Sequence, residues 1–133
     1  MREILFRGKR TDTGEWVEGY YEFGYDSENE EPTHYMWVLN HTEKYGEMFI
    51  VIPETVGQYT GITDSNGKKV FEGDIVIMDK EAVIVNGLVK YQGAAFCIAT
   101  NSDLWDIDNY YALEVIRNIH DNPELISNAI NAD

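Results

Sequence analysis

Residues 57–76 read GQYTGITDSNGKKVFEGDIV, and the architecture of the chain turns on what these glycines do. Two glycine-containing turns separate short runs of β-formers. Asn66-Gly67 is the strongest short hairpin signal, because the two central residues of a tight hairpin turn must tolerate positive φ. Glu72-Gly73-Asp74 then redirects the chain into an apolar run that begins at Ile75. No helix follows that could offer its N-terminus to a phosphate, so the glycines read as turn-formers in a sheet and not as an anion cradle.

Downstream, Ile75 to Met78, Ala82 to Val85, Leu88 to Tyr91 and Ala95 to Thr100 follow at close spacing, with Asn86-Gly87 read as a second tight turn. Several short strands at this interval indicate a barrel or sandwich. Upstream, Ile4 and Phe6 lie in a first strand, Thr11-Asp12-Thr13-Gly14 is a turn, and Glu15 to Phe23 returns, so residues 2–23 form a hairpin. Tyr35 to Leu39 and Met48 to Ile52 pair as a second hairpin that Pro53 stops. Tyr25 to Thr33 (YDSENEEPT) is a solvated acidic loop.

Only the C-terminal end carries a helical signal. Asn122-Pro123-Glu124 supplies an N-cap, a proline at the first helical position and an anion beside the positive helix terminus. Leu125, Ile126, Ala129 and Ile130 mark one apolar stripe, which predicts a short helix over about 123–130 that needs docking to persist. Residues 103–116 fit either a helical turn or an irregular loop before a strand at Val115–Ile119. The expectation is a mainly β protein. An N-terminal β subdomain spans 1–53, and an SH3-like, partly open barrel with the short helix spans 54–133.

The bulk numbers bound the rest. A chain of 133 residues is one domain, or a domain with a subdomain, and buries roughly two-thirds of its unfolded surface without staples. The single cysteine, Cys97, lies in the apolar run Ala-Ala-Phe-Cys-Ile-Ala and reads as a buried, inert thiol suited to a reducing cytosol. No apolar stretch of signal-peptide length follows Arg2, Glu3 and Arg7, and no apolar run is long enough to span a membrane. Ten basic against 24 acidic residues give a formal charge of −14, which repels phosphate backbones and argues against direct nucleic-acid binding. The same charge favours solubility, attracts a basic partner, or mimics DNA toward a DNA-binding protein.

Candidate chemistry is sparse. Asp103, Asp106 and Asp108 (SDLWDIDN) form the best metal candidate, since hard cations want clustered oxygen ligands. An EF-hand-like loop also needs a glycine at its sixth position, where this stretch has Asp108, and Glu114 stands at the twelfth. The solvated acidic loop is the plainer reading. His34, His41 and His120 show no zinc spacing. No nucleophile elbow, phosphate-binding glycine loop or dinucleotide fingerprint occurs. Trp16, Tyr20, Tyr21, Tyr25, Tyr35 and Trp37 are candidates for stacking on ligand rings, with cross-strand packing as the default.

VGQYTGITDSNGKKVFEGDIV at 56–76 and EVIRNIHDNPEL at 114–125, with REILFRG near the start and Trp16-Val17-Glu18-Gly19-Tyr20 after it, resemble the YopX family of phage and prophage proteins. The resemblance covers 1–21 and 50–125. Arg117 stands where the family pattern has a glycine. The resemblance implies a small, soluble, mostly β protein in a phage-infected or prophage-carrying bacterial cytoplasm, and brings no cofactor and no catalytic residues to carry over.

The functional expectation is therefore a non-enzymatic accessory protein acting by contact with a host or phage protein, with DNA mimicry as its sharper form. The alternative is a divalent-metal-dependent enzyme or small-ligand binder built on Asp103, Asp106 and Asp108. Homo-oligomerisation through exposed strand edges is a third option.

Overall fold

The computed structural model describes residues 3–25, 32–38, 46–80, 83–100, 103–107 and 112–122. Within them lie β1 (Phe6–Lys9), β2 (Trp16–Tyr25), β3 (Pro32–Val38), β4 (Glu47–Ile50), a 3-10 turn at Pro53–Thr55, β5 (Gly57–Thr63), β6 (Lys69–Phe71), β7 (Asp74–Lys80), β8 (Val83–Gln92), β9 (Ala95–Ala99), β10 (Leu104–Asp106) and β11 (Ala112–Asn118). These strands make two antiparallel sheets, ordered β4-β3-β2-β1-β5-β6 and β10-β9-β8-β7-β11, and the chain is mainly β as expected. Neither sheet is closed. The helix expected over 123–130 lies outside the described residues, as does the middle, 26–31, of the acidic loop expected at 25–33. The ends of that loop are strand instead: Tyr25 closes β2, and Pro32 and Thr33 open β3, paired to it as Tyr25 with Pro32 and Gly24 with Thr33. No helix among the described residues is long and apolar enough to cross a membrane.

Two compact units divide the chain, Met1–Tyr59 and Thr60–Asp133. In the first, β1 and β2 form the expected N-terminal hairpin. Gly14 sits at φ 73° and donates its N–H to the Arg10 carbonyl at 3.0 Å. Arg10 grips Asp12 through Nε at 2.9 Å and Nη2 at 2.7 Å, which stiffens the turn. β2 pairs β3 with Tyr20 opposite Trp37, and β3 pairs β4 with Trp37 opposite Met48. Beyond β4, Val51 bridges to Arg10, and Ile52 donates its N–H to the Lys9 carbonyl at 2.8 Å. The chain leaving β4 is thereby brought back onto the end of β1, and among the described residues of this unit Met36 and Val51 are the most deeply buried apolar side chains.

In the second unit the core comprises Val70, Val76, Met78, Val89, Phe96, Ile98, Ile107 and Leu113. Ile75 and Leu88 pack on the opposite side of the same sheet with Ile116 and Ile119. Both sides of β7 are therefore covered, which is why its sequence is a continuous apolar run and not an alternation.

Asn66-Gly67 does turn the chain from β5 to β6, but Asn66 keeps a negative φ and only Gly67 is left-handed, at 82°. The turn spans the four residues Asp64 to Gly67, with the left-handed glycine as the fourth and its N–H on the Asp64 carbonyl at 3.0 Å. Gly73, at φ 90°, supplies the second turn as expected, and the Phe71 N–H donates to Asp74 Oδ2 at 2.8 Å.

The turn expected at Asn86-Gly87 does not exist. β8 runs unbroken from Val83 to Gln92. Gly87 is there for space: a Cβ on it would lie 2.2 Å from Ile98 Cγ2 on β9. The actual reversal into β9 uses Gly93 and Ala94, both at φ 64°. The ambiguous stretch after residue 103 holds the short strand β10, and β11 begins earlier than expected. A register shift between Val115 and Arg117 makes β11 bulge where Arg117 stands in for the family glycine.

Candidate functional site

Asp103 immediately precedes β10 and Asp106 ends it. Asp103 belongs to a turn in which its N–H donates to Thr100 Oγ1 at 3.1 Å and its carbonyl accepts the Thr100 N–H at 2.9 Å. Asp106 lies on β10 opposite Cys97, while Trp105 between them packs against the core. Asp108 lies outside the described residues. Among the described residues no cluster of three or more His, Cys, Asp or Glu is arranged to hold a metal ion. His34 and His120 are in different units, and His41 lies outside the described residues.

A cavity of 240 Å³ opens in the second unit, floored by Met78, Ile98, Ile107 and Leu113 and rimmed by Thr63, Asp64 and Ser65. Its titratable group is already engaged. Asp64 Oδ1 accepts the backbone N–H groups of Asn66 and Lys68, each at 2.9 Å, and Oδ2 accepts that of Val115 at 3.0 Å. Burial pushes this carboxyl up, but the donors from Val115, Lys68 and Asn66, helped by the Lys68 charge, outweigh it and hold it below its ordinary value. Asp64 is thus a tie between the β5–β6 turn and β11. The sequence reading singled out Asn66-Gly67 in this turn and gave Asp64 no role of its own. An aspartate at the start of a turn is a legible signal for its local bonds, whereas Val115 is too distant in the chain to be inferred.

The remaining candidate is an aromatic face on the first unit. Strand alternation places Arg7, Lys9, Trp16, Glu18, Tyr20, Glu22, Tyr35, Trp37, Met48 and Ile50 on one side of the sheet. The opposite side carries Met36, Tyr21, Phe23 and His34. There the Tyr21 hydroxyl bonds His34 Nδ1, and the two rings stack at 5.7 Å between centroids. Burial raises the Tyr21 phenol above its ordinary value.

The six aromatics singled out from the sequence therefore divide. Tyr21 is absorbed by His34, and Tyr35 is half-buried. Trp16 is covered by cations, with the Arg7 guanidinium 4.7 Å and the Lys9 ammonium 5.6 Å from its ring centroid. Tyr20, Tyr25 and Trp37 are exposed. Tyr20, Trp37 and Met48 occupy one cross-strand rung, 51%, 37% and 47% exposed, and Ile50 beside them is 47% exposed. Trp37 Nε1 donates to Glu22 Oε2 at 2.5 Å, which holds a carboxylate against the exposed indole.

The model of the family described as YopX protein matches residues 5–127. The chain belongs to the YopX family. The match spans both distinctive motifs, and it also takes in the 22–49 stretch that sequence reading left unassigned. Among solved structures, the crystal structure of protein EF1440 from Enterococcus faecalis is similar at 23% identity with a TM-score of 0.53. The alignment covers 95% of this chain and 99% of that one, and at this identity it speaks for the fold alone. A search of curated proteins returned no match.

Proposed function

We propose that this YopX-family chain is a non-enzymatic accessory protein of phage or prophage origin that acts in the bacterial cytoplasm by protein–protein contact. The contact is made by the β2-β3-β4 face. The observation that carries this reading is the exposed rung Tyr20–Trp37–Met48 with Ile50 beside it, three strands wide. Large apolar side chains gathered on one sheet face are the usual mark of an interaction surface, whereas single exposed ones need no explanation. Aromatics and methionine are also the residues enriched where interfaces form. An SH3-like, partly open barrel in the second unit belongs to the same proposal. The β7-β8-β9 meander with β11 returning to β7 supports it.

Affinity capture from phage-infected cells, run with wild-type chain and with a Trp37→Ala/Ile50→Ser variant side by side, tests the reading. A prey retained by wild type and lost by the variant is expected. A prey held equally by both would remove this face from the mechanism.

A further inference from the structure

We infer that the occupant of the β2-β3-β4 face is an arginine-rich segment of a partner protein, an inference that rests on the contact reading above and names its chemistry. On β2, Glu18, Tyr20 and Glu22 alternate onto one side and all three are exposed. Tyr20 stands opposite Trp37 on β3. The bond from Trp37 Nε1 to Glu22 Oε2 fixes a carboxylate at the edge of an indole face. An aromatic plane with a carboxylate beside it is matched to guanidinium, which stacks flat on the ring and presents its N–H fork to the oxygens. Ammonium has no plane to stack and is more strongly hydrated, so lysine is the poorer fit. Met48 and Ile50, continuing the face on β4, offer apolar surface to the methylene stem.

The chain uses the same chemistry on itself. On this side of the sheet the Trp16 ring carries the Arg7 guanidinium at 4.7 Å and, farther off, the Lys9 ammonium at 5.6 Å, and just beyond β1 the Arg10 guanidinium lies 4.2 Å from the centroid of Phe49. The formal charge of −14 adds a long-range field that draws a basic segment in, which speeds encounter more than it sets specificity. Stacking and the Glu22 fork therefore have to supply the discrimination between arginine and lysine.

The test titrates the full chain with two synthetic peptides, one with arginine at every third position among serines and glycines, the other with lysine in its place. Calorimetry and tryptophan fluorescence at about 0.15 M salt read the binding. The arginine peptide is expected to bind about tenfold more tightly than its lysine counterpart, and Glu22→Gln and Trp37→Ala each to weaken it about tenfold. Trp37→Phe keeps a stacking ring but loses the bond to Glu22. It is expected to fall between, which shows loss of binding without loss of the strand. Glu54→Gln removes one exposed charge from the 3-10 turn and is expected to change nothing.

Equal binding of both peptides, with Glu54→Gln as damaging as Glu22→Gln, would reduce the effect to bulk charge and overturn the inference. So would self-association through this face, seen as a dimer in light scattering that Trp37→Ala dissolves. If the arginine peptide fails while Trp37→Ala/Ile50→Ser still loses its captured prey, the contact reading stands and only the arginine chemistry falls.

Discussion

Asp64 Oδ2 accepts the backbone N–H of Val115 at 3.0 Å across 51 residues of chain. The same carboxylate takes Asn66 and Lys68 through its other oxygen, so one buried side chain both shapes the hairpin turn and satisfies a donor on β11. Ser65 N–H donates to the Leu113 carbonyl at 2.8 Å alongside it, and the edge of β11 is met by a turn instead of a further strand.

Asp64→Asn puts an amide donor where Oδ1 or Oδ2 accepted, and leaves at least one backbone N–H facing another N–H. The expected loss is about 2–3 kcal/mol, in line with a charge-assisted bond plus a buried unsatisfied donor. Urea denaturation at neutral pH measures it, as a lower midpoint at unchanged slope. The effect carries a sign in pH. Because the folded-state carboxyl is held below its ordinary value, its stabilisation is present above the unfolded-state value near about pH 4 and is lost as pH falls through the folded value. The gap between wild type and Asp64→Asn should narrow on acidification below about pH 4. A constant gap would show that the carboxylate's charge is not what matters.

Gly87→Ala drives a methyl group to 2.2 Å from Ile98 Cγ2, a contact that real atoms do not tolerate. Overpacking of this kind is expected to cost about 2–3 kcal/mol. Ile98→Leu removes the branch methyl, so the Gly87→Ala/Ile98→Leu double variant should recover part of the loss. Additive losses in the double-mutant cycle would mean that the clash is relieved some other way.

Gly67 and Gly73 separate two causes of glycine dependence. Both have positive φ, at 82° and 90°, but nothing lies within 4 Å of a Cβ on Gly67. On Gly73 the Cβ would meet His120 Nε2 at 3.1 Å and Ile119 Cγ2 at 3.3 Å. Gly67→Ala should cost about 1 kcal/mol from backbone strain alone. Gly73→Ala should cost about 1–2 kcal/mol more, since Gly73 also donates to the Val89 carbonyl and accepts the Ile119 N–H, which leaves little room to shift. Thermal unfolding of the two variants orders them, and the reverse order would refute this account.

These glycines also show what a sequence can reveal. Positive-φ turns at Gly14, Gly67 and Gly73 were legible because the local chain alone demands them. Asn86-Gly87 was misread because the same dipeptide that reverses a chain also fits a strand whose neighbour needs room, and that neighbour, Ile98, pairs from another strand. Tyr20 and Trp37 were legible as candidate stacking residues, but only together with Tyr21 and Tyr25, which the strand register places on the other side of the sheet. Met36 and Val51 bury the middle of the other side, while Phe23 and Tyr25 at its β2 end stay 52% and 72% exposed, and that division is a property of the assembled unit. Glu22 gained its place only through the Trp37 N–H, a pairing that no spacing along the chain announces.

Cys97 reports on the opening of the second unit. It is buried on β9 opposite Asp106. Burial is the main cause that pushes its thiol up, with Asp106 adding to this and Lys90 opposing it. At neutral pH the side chain is therefore a protonated thiol, and the reactive thiolate forms only when the strand is exposed. Native protein should resist iodoacetamide at pH 7, while urea-unfolded protein should react fully, as mass spectrometry would show. Asp64→Asn should speed the native reaction if local opening of the β11 side exposes Cys97, by about 30- to 150-fold for a loss of about 2–3 kcal/mol. Alkylation of native wild type at the rate of a free cysteine would refute the burial argument, and an unchanged rate in Asp64→Asn would place the opening that exposes Cys97 on the β10 edge instead.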